Sequence, residues 1–219
     1  MSSFSKRLSV ERRLDTPRGP VLIRGALPPS ILSDLTLDPS LRMFRPPDQQ
    51  KQALLTIAAQ PQGAVVAATS SSTIIGYATF HPPDRDCRWA VPDLPVLELG
   101  ALEVAAGWRF MRIGRNVLET AFSADVMEEW IVFSTEYCWH WDLEATRLSV
   151  WEYRKLLYAI LKNVGLLLVP TDDPEIAAHP ANMLTVRCGA RVPPAACEEF
   201  LKLARGRRQE SAPSATKFT

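Results

Sequence analysis

The segment from Leu97 to Leu118, LELGALEVAAGWRFMRIGRNVL, constrains this chain most, because its periodicity changes from strand to helix within a few residues. Leu97 to Val104 is apolar with two carboxylates, Glu98 and Glu103, set into it. Ala105 to Gly107 interrupts the strand. Trp108 to Arg115 then carries Arg109, Arg112 and Arg115 around one glycine, Gly114. From Ile113 onward, Ile113, Val117, Leu118 and Ala121 recur at helical spacing. A helix start leaves N–H groups unpaired and presents the positive end of the dipole, so it attracts anions. Three arginines at that turn suit a pyrophosphate. An ordinary strand–turn–helix with a solvated basic turn fits the same spacing.

The remaining pattern places this unit inside one globular domain. The chain has 219 residues, 47% of them hydrophobic, which supports one substantial core better than two small ones. A formal charge of +1 gives no electrostatic case for nucleic acid or an anionic membrane. No apolar run approaches the ~20 residues of a membrane span. The basic start, MSSFSKRLSVERR, lacks the apolar core of a secretory signal. Cys87, Cys138, Cys188 and Cys197 lack CxxC spacing and read as four reduced thiols, which points to a cytoplasmic protein.

Residues 1–17 read as a flexible lead-in, 18–205 as the domain and 206–219 as a disordered tail. Gly19 to Ala26 is a predicted strand, and prolines open helices at Pro28-Pro29 and Pro46-Pro47. Gly63–Ala68 and Thr73–Phe80 form a predicted hairpin, followed by a proline-rich loop in which His81 is exposed. Beyond the central unit, Trp130–Thr135 is a predicted buried strand, and Leu148–Val164 a helix ended by Gly165. Leu166–Val169 reads as a short buried strand. His179 to Asn182 opens a further helix closed by Gly189, and Glu198–Ala204 is the last. Alternating strands and helices with an early hairpin predict an α/β (α+β) domain around one mixed, mostly antiparallel sheet.

This order of elements, with the Arg109-Phe110-Met111-Arg112-Ile113-Gly114 turn, resembles the GNAT superfamily of N-acetyltransferases. That superfamily marks its acetyl-CoA pyrophosphate loop with Arg/Gln-x-x-Gly-x-Gly/Ala; here Arg112 replaces the first glycine. FRPPDQQ at Phe44–Gln50, LELGALEV at Leu97–Val104, TEYCWHWDL at Thr135–Leu143, VWEYRK at Val150–Lys155 and TDDPEIAAHPAN at Thr171–Asn182 resemble its AcuA family of acetoin utilization proteins. The resemblance implies an acetyl-CoA-dependent lysine N-acetyltransferase that acetylates acetyl-CoA synthetase and switches it off. A CoA-binding regulatory protein with little turnover, or a small-molecule amine acetyltransferase, are the alternatives.

The resemblance also assigns roles. Leu102 to Val104 would pair with the pantetheine arm, and the N–H groups of Phe110, Met111, Arg112, Ile113, Gly114 and Arg115, beside Arg109, would hold the pyrophosphate. Helical-like dihedrals are expected at Arg112, because a side chain there restricts positive φ. Glu98, eleven residues before Arg109, is the first candidate for the base that takes the lysine proton, and Glu103 the second. In a regular strand the two face opposite ways, and a bulge would change that. The tyrosine that commonly protonates the leaving thiolate maps to Thr185, which leaves Tyr153, His140 or solvent to replace it. Glu136, Cys138, His140 and Asp142 alternate, but no metal site is assigned to them. The MFRPP loop and the WHWDL stretch are the candidates for a partner surface.

Overall fold

The computed structural model describes residues 4–206. In chain order these form α1 (Phe4–Arg7), β1 (Val10–Thr16), β2 (Gly19–Gly25), α2 (Pro29–Asp34), β3 (Thr36–Leu37), α3 (Pro47–Ala59), β4 (Ala64–Ser70), β5 (Thr73–His81), β6 (Val96–Val104) and α4 (Ile113–Phe122). There follow β7 (Ile131–Glu136), α5 (Leu143–Thr146), α6 (Val150–Asn163), β8 (Leu167–Leu168), α7 (Pro174–Ala177), β9 (Met183–Cys188) and α8 (Pro194–Arg205). One sheet runs β1-β2-β4-β5-β6-β7-β9-β8, with β3 beside β5. Its main ladder is antiparallel except where β6 meets β7. This is the mixed, mostly antiparallel sheet that the pattern predicts.

The sheet is nearly all apolar at its centre. Ala64 to Ala68 on β4 and Ile74, Ile75, Tyr77, Ala78 and Phe80 on β5 are buried, as a strand covered on both faces requires. Phe80 meets Phe122 of α4 edge-on, with ring centroids 5.7 Å apart. On the other half, Phe133 of β7 packs against Phe200 of α8, at 5.8 Å, and against Trp89 from the proline-rich loop, at 5.5 Å. A Ser149–Glu152 capping box starts α6, and Gly165 follows that helix with φ +84°, a conformation only glycine takes without strain.

Four expectations are corrected. The lead-in at residues 1–17 contributes a short helix and an edge strand: all seven residues of β1 pair with β2, and Arg12 reaches Glu119 of α4 at 2.8 Å. Leu8 and Phe4 are buried, which ties this segment to the core. Of the tail expected at 206–219, all beyond Gly206 lies outside the described residues. The helix expected from His179 to Gly189 is strand β9, because MLTVRC pairs along its whole length with β7. Asn182 serves instead as a loop clamp, accepting from the Cys138 N–H at 2.9 Å and donating to the Glu175 carbonyl at 3.1 Å. The strand expected as buried at Leu166–Val169 is an exposed two-residue edge, only Leu166 being fully buried. Cys188 and Cys197 form a disulfide between β9 and α8, where the chain turns back on itself, whereas Cys87 and Cys138 are free.

Gly189 therefore acts by close approach. A Cβ on it would stand 2.4 Å from the Glu128 carbonyl oxygen, a backbone atom with no room to retreat. Gly189→Ala is expected to lower stability by about 2 kcal/mol, seen as a fall of several degrees in the thermal midpoint. An unchanged midpoint would show that this approach does not constrain the fold.

Candidate active site

Strands β6 and β7 pair at only three positions, Val96–Ile131, Leu97–Val132 and Glu98–Phe133, and then part. Beyond that point, the side of β6 that faces away from β5 has no ladder partner among the described residues, while β5 continues to pair up to Val104. The gap is a cavity of about 620 Å³. Its walls are the second half of β6, the turn before α4, the end of β7 and one face of α6. Glu98, Leu102, Glu103, Val104, Arg109, Phe110, Arg112, Ile113, Gly114 and Arg115 all line it. Met111, the remaining residue expected there, packs against the core instead.

A bulge sets which way the two glutamates face. Thr79 pairs with Ala101 and Phe80 with Leu99, so Gly100 is an extra residue without a partner on β5. Glu98 pairs with His81 and Glu103 with Tyr77. His81 and Tyr77 lie four residues apart on one strand and share a face, so the two glutamates share it too. Gly100 lets the His81 ring lie against the bulge: a Cβ there would stand 2.2 Å from His81 Nε2, so a larger residue would displace that ring. His81 is thus half-buried against the bulge, not an exposed loop residue.

The carboxylates differ in surroundings. Glu103 is buried and pinned, accepting from the Met43 N–H at 2.9 Å and from the Tyr77 hydroxyl at 2.5 Å. Burial, then the Glu103 charge, pushes the Tyr77 phenol far above its ordinary value, so Tyr77 stays a donor. Burial also raises Glu98; nearby His81 opposes this and Asp84 adds to it. A third carboxylate, Glu136 at the end of β7, also lines the cavity. Burial pushes it up to about 7, the Ser134 hydroxyl bond at 2.5 Å opposing and the Glu98 charge assisting. Sequence reading missed its role, because its neighbours come from β6. Its only signal was a carboxylate at the C-terminal end of a buried strand.

The basic turn keeps the shape of a glycine loop without the glycine. Arg112, expected to be helical-like, is left-handed at φ 60°, ψ 17°, and Phe110 is also left-handed at φ 63°. The Arg112 carbonyl is held by the N–H and side-chain amide of Asn116, at 3.0 and 2.9 Å, which fixes the turn despite its strain. Among the described residues no side chain caps α4, so its first N–H groups remain open to an anion. Gly114 lets that helix start lie against β6: a Cβ there would be 3.3 Å from Val104 Cγ2. The three arginines divide their work. Arg109 pairs with Asp142 at 2.7 Å, and its Nε donates to the Val104 carbonyl at 3.3 Å. Arg115 bonds Glu119 at 2.7 Å and Asn163 at 3.0 Å. Arg112 is exposed, with no ion pair among the described residues, and is the cation free to meet a ligand.

Aromatic groups close the far wall. Tyr153 on α6 stacks on Trp141, ring centroids 5.2 Å apart, and burial raises its phenol. Trp141 lines the cavity while its buried indole N–H finds no acceptor among the described residues, a donor suited to a ligand carbonyl. Thr185, to which the thiolate-protonating tyrosine maps, sits buried in mid-strand on β9, outside the cavity lining. Residues 138–140 form a helical turn, so Glu136, Cys138, His140 and Asp142 do not share one strand face. Among the described residues no cluster of three or more His, Cys, Asp or Glu could hold a metal.

Two variants test these geometries. Glu136→Gln removes a carboxylate whose folded-state affinity for the proton is raised. Below about pH 4.5 the group is neutral folded and unfolded, so the substitution should change little; above pH 7 it should stabilise by on the order of 3 kcal/mol. Melts at pH 4 and pH 8 check this, and a gain equal at both would contradict it. Arg112→Gly should relieve about 1 kcal/mol of left-handed strain and so raise the thermal midpoint. An unchanged or lowered midpoint would count against strain in this turn.

No family model matches the chain. Over 193 residues, 88% of this chain and 92% of the relative, it is 39% identical to acetoin utilization protein AcuA of Bacillus licheniformis. To the protein of the same name from Bacillus subtilis it is 39% identical over 191 residues, 87% and 91% of the two chains. The crystal structure of an acetoin utilization protein from Exiguobacterium sibiricum matches with a TM-score of 0.87 and 44% identity, covering 89% of this chain and 93% of that one.

Proposed function

The chain belongs to the AcuA family of acetoin utilization proteins, within the GNAT superfamily of N-acetyltransferases, and from that premise we propose that it moves an acetyl group from acetyl-CoA to a lysine of acetyl-CoA synthetase. The observation that carries this reading is the gap between β6 and β7, which ends on the uncapped, left-handed turn before α4. A thioester with a long polar arm and a pyrophosphate fits that sequence of features. The free side of Leu102 to Val104 supplies main-chain partners for the arm, and the N–H groups of 110–115 with the Arg112 cation supply those for the phosphates.

The chemistry then follows from the residues. Freeing a lysine amine of its proton at pH 7 costs about 4.6 kcal/mol. Glu98, raised by burial and placed on the bulge face, takes that proton, directly or through water. Main-chain N–H groups released by the bulge at Gly100 polarise the thioester carbonyl. Tyr153, kept protonated, donates to the departing thiolate, and Glu136 lies close enough to influence both Glu98 and Tyr153. Glu103, held by two hydrogen bonds, anchors the Met43 segment at the cavity wall and does not serve as the base.

Incubation with acetyl-CoA and acetyl-CoA synthetase, followed by mass spectrometry, should show one added acetyl group on a synthetase lysine. Glu98→Gln should lower kcat by about 10²–10⁴ with little change in the KM for acetyl-CoA. Tight CoA binding with no mass gain would replace transfer by a purely regulatory role, and faster acetylation of free polyamines would replace the protein substrate.

A further inference from the structure

A second cavity, of about 300 Å³, adjoins the first on the other side of the bulge. The two share Met43, Phe44, Gly100, Ala101 and His140, so they meet where the acyl group is placed by the function proposed above. The side cavity lies between α3, β5 and the loop before α3, on the face that carries Glu98 and His81. Its walls combine apolar surface, from Met43, Phe44 and Ile57, with a few polar groups.

One of those polar groups is unsatisfied. Gln50 on α3 lines the cavity, is only 2% exposed, and its Oε1 has no hydrogen-bond donor among the described residues. A buried acceptor without a donor is costly, and native structures seldom retain one without use. His81 forms another part of the wall. Its Nδ1 lies 2.9 Å from the Pro82 carbonyl, so Nδ1–H donates there and Nε2 faces the bulge. The mouth carries Arg45, exposed and without an ion pair or hydrogen bond among the described residues.

Resting on the acetyl-transfer reading, we propose that the side cavity is the subsite for the acceptor's lysine side chain, with Gln50 Oε1 accepting from the amine and Arg45 excluding acceptors that bring a second cation. The apolar walls match the methylene stem of lysine. The orphan carbonyl of Gln50 matches an N–H donor. The cavity opens on the Glu98 face, so an amine delivered through it arrives on the side of the base. A polyamine would set its second ammonium against an unpaired guanidinium, whereas a lysine within a polypeptide carries one amine into the cavity and exposes Arg45 to none. The acceptor class is therefore a protein lysine and not a polyamine.

Calorimetry with three probes separates these roles without relying on turnover: CoA alone, CoA joined through an S-acetyl bridge to Nε of Nα-acetyl-lysine methylamide, and CoA joined in the same way to spermidine. The wild-type protein should bind the lysine conjugate at least about tenfold more tightly than CoA, and more tightly than the spermidine conjugate. Gln50→Met should cut that advantage about fivefold while leaving CoA affinity unchanged. Arg45→Glu should strengthen the spermidine conjugate about tenfold and move the lysine conjugate less than twofold. Gln50→Met losses equal for CoA and conjugate would overturn the subsite. An Arg45→Glu variant that binds spermidine no better would overturn the selection. Arg45 is exposed, so that variant decides the matter if Gln50→Met does not fold. Failure of CoA alone to bind would remove the acetyl-transfer premise, and the subsite with it.

Discussion

Three residue pairs join β6 to β7, and then the only parallel junction in the main ladder opens. The functional geometry depends on that parting. Strands that stayed paired to Val104 would leave no unpaired main chain on β6 and no gap for a ligand. Ligands commonly enter open sheets at the carboxyl ends of diverging parallel strands, and this junction reproduces that condition within a mostly antiparallel sheet. Arg109 clamps the end of β6 to Asp142, beyond the end of β7, and α6 fills the outer side.

The opening concentrates charge that the surroundings only partly satisfy. Glu98 and Glu136 come from neighbouring strands, both are raised by burial, and each is disfavoured as a carboxylate by low access to water. Glu103, on the same strand, is instead held by two donors. Three carboxylates around one cavity thus divide into an anchored one and two whose hold on the proton is raised by burial. Perturbed acids gathered in a cleft mark functional sites more often than structural ones. The left-handed Arg112 is the matching feature at the phosphate end. Strain is accepted there because two bonds from Asn116 hold the turn, and a cation is gained where a glycine would offer none.

Local signals in the sequence were enough for the central unit. The change of period between Val104 and Ile113 located the strand end and the helix start, and prolines at 29 and 47 located two more helices. What failed was non-local. MLTVRC is a short apolar run that fits a strand or a buried helix equally well, and pairing with β7 decided it. The orientation of Glu98 relative to Glu103 turned on a bulge at Gly100, which only the register with β5 reveals. Glu136 gained its meaning from lying beside β6, and Tyr153 from the wall that α6 contributes to the cavity; neither relation is written in spacing. The MFRPP and WHWDL segments do converge, Phe44 meeting His140 with ring centroids 6.0 Å apart, though a chain distance of almost a hundred residues separates them.

The central claim is that the unpaired side of β6 and the turn before α4 grip acetyl-CoA. Amide hydrogen exchange with and without acetyl-CoA tests it at the level of single segments. Slower exchange at Leu102 to Val104 and across residues 110–115, with the β1–β2 ladder unaffected, is the predicted result. Binding that leaves both segments exchanging at their free rates, or protects a different face of the sheet, would contradict it.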